Sequence, residues 1–177
     1  MKTQTISSCD RFHGRIFDVR TDVIREGDIE YERDIVVHRG SAVIVPVFED
    51  GTVALVRQYR HAVGGITLEL PAGGIEPGET FEQAARRELE EEVGFRAETV
   101  RKLSEFYVSP GFLTEKMHLF LAAKLARTAQ NLDDDEIVEI LRLPLADAVK
   151  MISTGEIQDA KTIVGLLLYT HRSVVDV

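Results

Sequence analysis

The stretch GGIEPGETFEQAARRELEEEVGF, residues 73–95, joins a glycine-rich loop to a strongly charged helix. Thr80 is a good N-cap residue, and Gln83 three positions later completes the sequence pattern of a capping box. Gly94 suits the C-terminal end, because glycine adopts the left-handed conformation at little steric cost. The pattern therefore predicts a helix over residues 81–93.

One face of this helix changes from apolar to acidic along its length. At about 100° per residue, the apolar residues of the first turn share a sector with Glu88, Glu91 and Glu92. These glutamates are spaced i, i+3 and i+4, so their side chains are neighbours that repel each other. Burial of such charges is costly unless a hard divalent cation with oxygen ligands compensates them. On the helix alone, a solvated charge run is an equally simple interpretation.

The loop before the helix favours the metal interpretation. Gly73, Gly74 and Gly78 leave the backbone without side chains to shield it. Such a loop lets carbonyl and amide groups approach a metal ion or a phosphate closely.

Composition excludes some classes of function. The 177 residues carry a formal net charge of −9, which argues against a broad surface for nucleic acid or an anionic membrane. Cys9 is the single cysteine, so a reducing, cytoplasmic location is expected. Residues 1–8 are polar, which predicts no signal peptide, and the apolar stretches are too short to span a bilayer.

The order of predicted elements indicates an α+β protein with a mixed sheet and packed helices. Strands are predicted over residues 16–22, 29–38, 41–48, 52–57, 67–70, 100–108, 116–125 and 137–143, a loop over 71–78, and further helices over 145–153 and 160–171.

Residues 73–95 resemble the Nudix box, the 23-residue signature of the Nudix hydrolase family. Its defined positions are filled by Gly73, Glu79, Arg87, Glu88, Leu89, Glu91, Glu92, Gly94 and Phe95. The resemblance implies the Nudix fold, a mixed curved sheet sandwiched between helices. It divides the chain into an antiparallel N-terminal strand extension, residues 1–40, and a catalytic domain, residues 41–177.

The resemblance also implies roles for individual residues. Glu88 and Glu92 would be direct ligands of Mg²⁺, or of Mn²⁺ in its place, and Glu91 would bind the metal or hold a metal-bound water. The carbonyl of Ala72 would complete the coordination, and Arg87 would orient the carboxylates together with the first glutamate of the box.

Three features outside the box resemble the ADP-ribose and nucleotide-sugar branch of the family. They are ELPAG at residues 69–73, VRQYR at residues 56–60, and VSPGF at residues 108–112, where Pro110 lies fifteen positions after the end of the box. The resemblance implies cleavage of ADP-ribose to AMP and ribose 5-phosphate. Metal ions would neutralise the diphosphate and acidify a water molecule.

The general base is expected in the acidic stretch DDDEIVE, residues 133–139. The family's spacing assigns the role to Glu136, although a solvated acidic loop fits Asp133 and Asp134. Glu115 aligns with a family carboxylate that touches metal or water, with a plain exposed residue as the alternative.

Substrate contacts and dimerisation are expected by the same resemblance. In this branch the N-terminal extension swaps strands across a homodimer, where an arginine or aromatic residue stacks on the base; ordinary hairpin residues are the alternative. The candidate substrate-binding residues are Arg15, Arg33, Arg57, Arg60, Glu76, Ser109, Gly111 and Phe112.

Other functions stay open at this point. The substrate could be GDP-mannose, another nucleotide sugar or a dinucleoside polyphosphate. A non-catalytic nucleotide-binding module would be expected to have lost carboxylates of the box, which is intact. A role in messenger-RNA decapping is disfavoured by the acidic balance and the lack of a basic patch.

Overall fold

The computed structural model describes residues 3–132 and 137–175. In these ranges the strands are β1 (Thr3–His13), β2 (Asp18–Glu26), β3 (Ile29–Val37), β4 (Ser41–Pro46), β5 (Thr52–Arg60), β6 (Gly65–Glu69), β7 (Ala72–Gly74), β8 (Phe95–Tyr107), β9 (Lys116–Arg127) and β10 (Val138–Pro144). The helices are α1 (Phe81–Glu88), α2 (Leu145–Thr154) and α3 (Ala160–Val175), with a π-helical turn at Leu89–Val93 and a 3₁₀ turn at His61–Val63. No helix in these ranges has both the length and the apolar character needed to cross a membrane.

The chain divides into two compact units. The first contains Met1–Gly40 and Phe106–Met117, and the second contains Ser41–Glu105 and His118–Val177. The first unit therefore includes residues 106–117 in addition to the N-terminal extension expected over residues 1–40.

The first unit contains the antiparallel sheet β1–β2–β3. Its edge strand β1 is exposed along its whole length. β1 was not predicted from the sequence, because a strand that buries neither face shows no apolar alternation. Two main-chain bonds join β3 to the segment that follows β8: the amide of Val36 donates to the carbonyl of Phe112 at 2.7 Å, and the amide of Thr114 donates to the carbonyl of Val36 at 2.9 Å.

The second unit is organised around two sheets, ordered β7–β4–β9–β8 and β10–β5–β6. All six residues of β4 are buried, and α1 and α3 both contact this strand. A continuous apolar cluster joins the sheets to the helix that begins at Phe81. Its buried members are Ala42, Ile44, Ala54, Val56, Ala84, Ala85, Leu89, Val93, Ala97, Phe120 and Ala122. This packing fixes one side of the acidic helix against the sheets.

The boundaries of the acidic helix were predicted correctly, and its last turn was not. Thr80 and Gln83 form the reciprocal capping box, and Gly94 ends the helix with a φ of 71°. The α-helix stops at Glu88, however, and continues as the π-helical turn. Sequence periodicity cannot detect this change, because a single π turn differs from an α turn by one residue. Residues 81–93, which lie within the sequence that resembles the Nudix box, are called the Nudix helix.

One further strand was not predicted, and among the strand bounds that differ from the predictions the start of β8 shifts most. The short strand β7 lies inside the expected loop over residues 71–78, where it pairs antiparallel with β4. β8 begins at Phe95 rather than at residue 100. β7 was missed because Ala-Gly-Gly has no strand-like pattern, and only its pairing with the buried β4 reveals it.

Candidate active site

The acidic face of the Nudix helix lies against the backbone of β7. Glu92 is only 3% exposed, and its Oε2 accepts a hydrogen bond from the amide of Ala72 at 3.0 Å. A Cβ atom added to Gly73 would lie 1.9 Å from Oε1 of Glu88. The missing side chain at Gly73 therefore makes the space that the Glu88 carboxylate occupies.

Arg87 binds the carboxylates around it. Its guanidinium donates to both oxygens of Glu79 at 3.1 Å, to Glu88 at 2.7 Å and to Glu91 at 2.9 Å. It also donates to the carbonyl of Gly74 at 2.9 Å. Burial alone lowers the pKa of Arg87, but its bonds to Glu79 and the charge of Glu88 outweigh burial and raise that pKa. The guanidinium is therefore a permanent cation at the centre of the cluster.

The pKa of Glu79 shifts downward, whereas that of Arg87 shifts upward. Burial raises the pKa of Glu79, but the hydrogen bonds and charge of Arg87 more than compensate, so this pKa is lowered overall. Arg87 and Glu79 thus stabilise each other's charged forms.

The other glutamates of the helix are paired outside this cluster. Glu82 accepts from Arg86 at 3.0 Å, and Glu90 accepts from Arg96 at 2.9 Å. Glu82 and Glu90 are therefore separate from the carboxylate cluster around Arg87.

The donor set fits a divalent cation in its chemistry. Glu88, Glu91 and Glu92 supply hard oxygen atoms, the ligand type that Mg²⁺ and Mn²⁺ prefer. The absent side chain at Gly73 leaves β7 backbone groups next to these oxygens. Within the described residues, no three acidic, histidine or cysteine side chains lie at metal-ligand spacing. Arg87 pairs with oxygens of Glu88 and Glu91.

A second charged group surrounds Arg60 at the end of β5. Arg60 donates to both oxygens of Glu69 at 2.8 Å, and Lys161 of α3 forms a short ion pair with the same carboxylate. Lys161 also pairs with Asp159 at 3.0 Å. These residues line a cavity of about 500 Å³. Its remaining lining residues are Ala62, Val63, Thr67, Gln158 and Ala160.

Glu69 remains ionised although it is 3% exposed. Burial raises its pKa, but the hydrogen bonds from Arg60 and the charge of Lys161 outweigh burial and lower the pKa to about 2. The pKa of Arg60 is raised, because its hydrogen bond to Glu69 outweighs the effect of burial. The two groups therefore stabilise each other's charged forms.

Most of this second group was not predicted from the sequence. Glu69 was part of the ELPAG motif but had no predicted role, and no role was predicted for Asp159, Lys161 or Thr162. Thr162 is fully buried; its hydroxyl accepts from the amide of Leu70 at 2.7 Å and donates to Asp159. These residues are far from Glu69 along the chain, so only their burial in the folded structure identifies them as a group.

The predicted substrate contacts in the second unit lie in two places. Arg57 is half exposed and pairs across the strands with Glu139 at 2.9 Å. Glu76 is exposed, and its carboxylate lies 4.0 Å from Arg87. Of the arginines in the VRQYR motif, Arg60 therefore lies in the charged cavity and Arg57 on the surface.

The predicted contacts in the first unit are mostly exposed. Arg15 lies between β1 and β2, and the guanidinium of Arg33 stacks 4.3 Å from the ring of Tyr31. The amide of Phe112 donates to the carbonyl of Ser109 at 3.2 Å, a turn that also contains Gly111. The functional roles of all these residues stay predictions.

The remaining candidate carboxylates are Glu115 and Glu136. Glu115 is mostly buried in the first unit, where its carboxylate lies 3.7 Å from Nδ1 of His38. Glu136, the expected base, lies outside the described residues. The catalytic roles of both also stay predictions.

Comparison with known proteins gives the family. The family model described as NUDIX domain matches residues 38–164. The chain is 38% identical over 165 residues to an ADP-ribose pyrophosphatase of Bacillus subtilis, covering 92% of this chain and 89% of that protein. It is also 38% identical over 161 residues to a GDP-mannose pyrophosphatase of Citrobacter koseri, covering 84% and 83%.

A solved structure supports the same assignment. The crystal structure described as ADP compounds hydrolase superposes with a TM-score of 0.84 at 26% identity, covering 97% of this chain and 94% of that one.

The chain belongs to the Nudix family, and it is a Nudix hydrolase. The α+β Nudix fold expected from the sequence is confirmed. Hydrolases of this family generally need a divalent metal, which agrees with the oxygen donors of the Nudix helix.

Proposed function

We propose that this protein hydrolyses the diphosphate bond of a nucleoside diphosphate sugar, with ADP-ribose favoured, and gives AMP and ribose 5-phosphate. The observation that carries the proposal is the carboxylate cluster of the Nudix helix, in which Arg87 bonds Glu88 and Glu91 and Glu92 accepts from the β7 amide of Ala72. The relatives named ADP-ribose pyrophosphatase support the choice of substrate.

Mg²⁺ is the proposed metal, and Mn²⁺ can take its place. Glu88, Glu91 and Glu92 would hold it, with the carbonyl of Ala72 as a further oxygen donor. When bound, a divalent ion neutralises the diphosphate and acidifies water.

The residues of the chain perform the remaining tasks. Arg87 restrains Glu88 and Glu91 through hydrogen bonds shorter than 3 Å, so the carboxylates lose little freedom when the substrate arrives. Arg60 offers a cation to a phosphate oxygen, while Glu69 fixes the direction of its guanidinium. Glu136 is the proposed acceptor of the proton from water.

The cavity beside Arg60 is suited to a polar, uncharged part of the substrate. Its volume of about 500 Å³ falls in the range of small-molecule sites. Amide, hydroxyl and carboxylate groups of Gln158, Thr67 and Asp159 line it, and such groups bind sugar hydroxyls. A sugar there would lie next to the arginine proposed to bind phosphate.

A panel of nucleoside diphosphate sugars with Mg²⁺ tests this function. We expect ADP-ribose to give the highest kcat/KM, with AMP and ribose 5-phosphate as the products seen by chromatography. A chain that hydrolyses none of the panel at micromolar enzyme concentration would contradict the proposal.

GDP-mannose is the second candidate, because a GDP-mannose pyrophosphatase matches the chain at the same identity as an ADP-ribose pyrophosphatase. Faster release of GMP from GDP-mannose than of AMP from ADP-ribose would favour it. We further propose a homodimer that uses the N-terminal extension, and a cytoplasmic location.

A further inference from the structure

The side chain of Gln130 reaches the last turn of the Nudix helix. Its Nε2 donates to the carbonyl oxygen of Glu92 at 2.7 Å. The last carbonyls of a helix have no partner within the helix, so this donor satisfies one of them. The turn is the π-helical segment Leu89–Val93, a type of irregularity that is frequent at functional sites. Gln130 therefore bonds the main chain of the residue whose buried carboxylate faces β7.

Main-chain bonds fix the position of Gln130 itself. The amide of Thr128 donates to the carbonyl of Gly94 at 2.8 Å, and the amide of Asn131 donates to the carbonyl of Glu91 at 3.1 Å. A Cβ atom at Gly94 would lie 3.2 Å from both Cγ and the backbone nitrogen of Gln130. The close approach of residues 128–131 to the helix end thus depends on glycine at that position.

The same segment borders the side chains of the helix. Ala129 and Asn131 line a cavity of about 320 Å³ together with Arg87, Glu90 and Glu91. Residues 128–131 therefore contact the acidic helix both at its terminal carbonyls and beside its carboxylates.

We propose that Gln130 is a positioning residue for metal binding. This rests on the proposed function, because the metal-binding role of Glu91 and Glu92 is itself proposed. By holding the carbonyl of Glu92, Gln130 keeps the π-helical turn in place and so keeps the two carboxylates at fixed positions. It acts through the main chain and touches no metal. Groups that orient metal ligands typically change metal affinity by about 10- to 100-fold.

Two substitutions separate geometry from charge. Gln130→Glu removes the N–H donor at nearly constant shape, and Gln130→Lys keeps an N–H donor. Electrostatics alone predicts that the glutamate variant binds a cation more tightly and the lysine variant more weakly. A positioning role predicts the reverse order.

The measurement is a titration of the full chain with Mn²⁺ and no substrate, in which electron paramagnetic resonance reports the free ion. We expect the Kd for Mn²⁺ to rise about tenfold in Gln130→Glu and by less than about threefold in Gln130→Lys. Ser153→Glu, an exposed change on α2 that also adds one negative charge, should leave the Kd unchanged.

The possible outcomes distinguish a wrong positioning role from a wrong metal site. If the wild type binds Mn²⁺ and Gln130→Glu binds it as tightly or more tightly, the positioning role is overturned and the metal site stands. If the wild type binds no Mn²⁺, the metal site is wrong and the positioning role with it. Should Gln130→Glu fail to fold, Gln130→Met removes the donor without adding charge, and the same rise in Kd is expected.

Discussion

Glu69 is a single carboxylate on which three parts of the second unit depend. It accepts from Arg60 on β5, from Thr67 on β6 and from Lys161 on α3. Removing one partner from a buried charged group leaves the others uncompensated, which costs more than the group contributed while paired. Stability should therefore respond sharply to this residue.

The pKa of Glu69 sets the direction of its pH dependence. This pKa is lowered from 4.5 to about 2 in the folded chain, so its stabilising contribution is full above the unfolded value and is lost as pH falls through about 2. We expect Glu69→Gln to lower the free energy of unfolding by about 3 kcal/mol at pH 7 and by about 1.5 kcal/mol at pH 3. Urea titration followed by circular dichroism measures both values.

Glu139→Gln is the matched control for Glu69→Gln. Glu139 forms an exposed pair with Arg57, and such pairs contribute about 0–1 kcal/mol. A loss in Glu69→Gln no larger than in the control, or one that does not shrink between pH 7 and pH 3, would refute the network as described.

The approach of β7 to the Nudix helix determines where the carboxylates of Glu88 and Glu92 lie. Gly73 and Gly74 are adjacent in β7, but an added Cβ atom at Gly73 meets Glu88, and one at Gly74 meets nothing within 4 Å. The two positions therefore provide a test and its control within one strand.

We expect Gly73→Ala to weaken Mn²⁺ binding by about 10- to 100-fold, because the Glu88 carboxylate must move. Gly74→Ala should change it by less than about twofold, since the added methyl group meets open space. Isothermal titration calorimetry with Mn²⁺ compares them. Equal affinities for the two alanine variants would show that Glu88 does not need its present position.

Elements with a local sequence signal were predicted, and elements defined by distant contacts were not. The capping box at Thr80 and the stop at Gly94 depend on neighbours in the chain, so the helix boundaries could be predicted from the sequence. β1 buries no residue, so it shows no periodicity. The π-helical turn was missed because its signal is a single extra residue.

The same distinction applies to the candidate site. The three glutamates of the acidic face lie within five residues of each other, and their spacing alone brought them together. The contact of Glu69 with Lys161 spans 92 positions, and that of Gln130 with Glu92 spans 38. One sequence without an alignment carries no information on such pairs, so these residues required the structure.

The exposed strand β1 predicts self-association of the chain. Its outer edge leaves main-chain groups open to pairing with a second copy, and Ile6, Phe12 and Ile16 are apolar residues exposed in this region. We expect light scattering at micromolar concentration to give twice the chain mass of 19.8 kDa.

A double variant and a control test whether the N-terminal extension forms the dimer interface. Phe12→Glu combined with Ile16→Glu should give the monomer mass, because charges at this edge oppose pairing. Leu167→Glu, at an exposed apolar residue of α3, should leave the mass of the wild type. A wild-type chain that is monomeric under these conditions would contradict the role of the extension.

An acidic molecule must bind an acidic substrate through local charges. With a net charge of −9, long-range attraction does not favour a diphosphate. The proposed function therefore assigns binding to the metal proposed at the Nudix helix and to cations such as Arg60. The proposed activity therefore depends on metal binding by the acidic face.

The most direct test compares Glu92→Gln with Glu82→Gln, two changes on the same helix. With Mg²⁺ and the substrate that the wild type hydrolyses fastest, we predict that kcat falls at least about 100-fold in Glu92→Gln. Glu82→Gln, which alters an exposed pair with Arg86, should stay within about twofold of the wild type. Equal kcat values for Glu92→Gln and the wild type would contradict metal binding by this face.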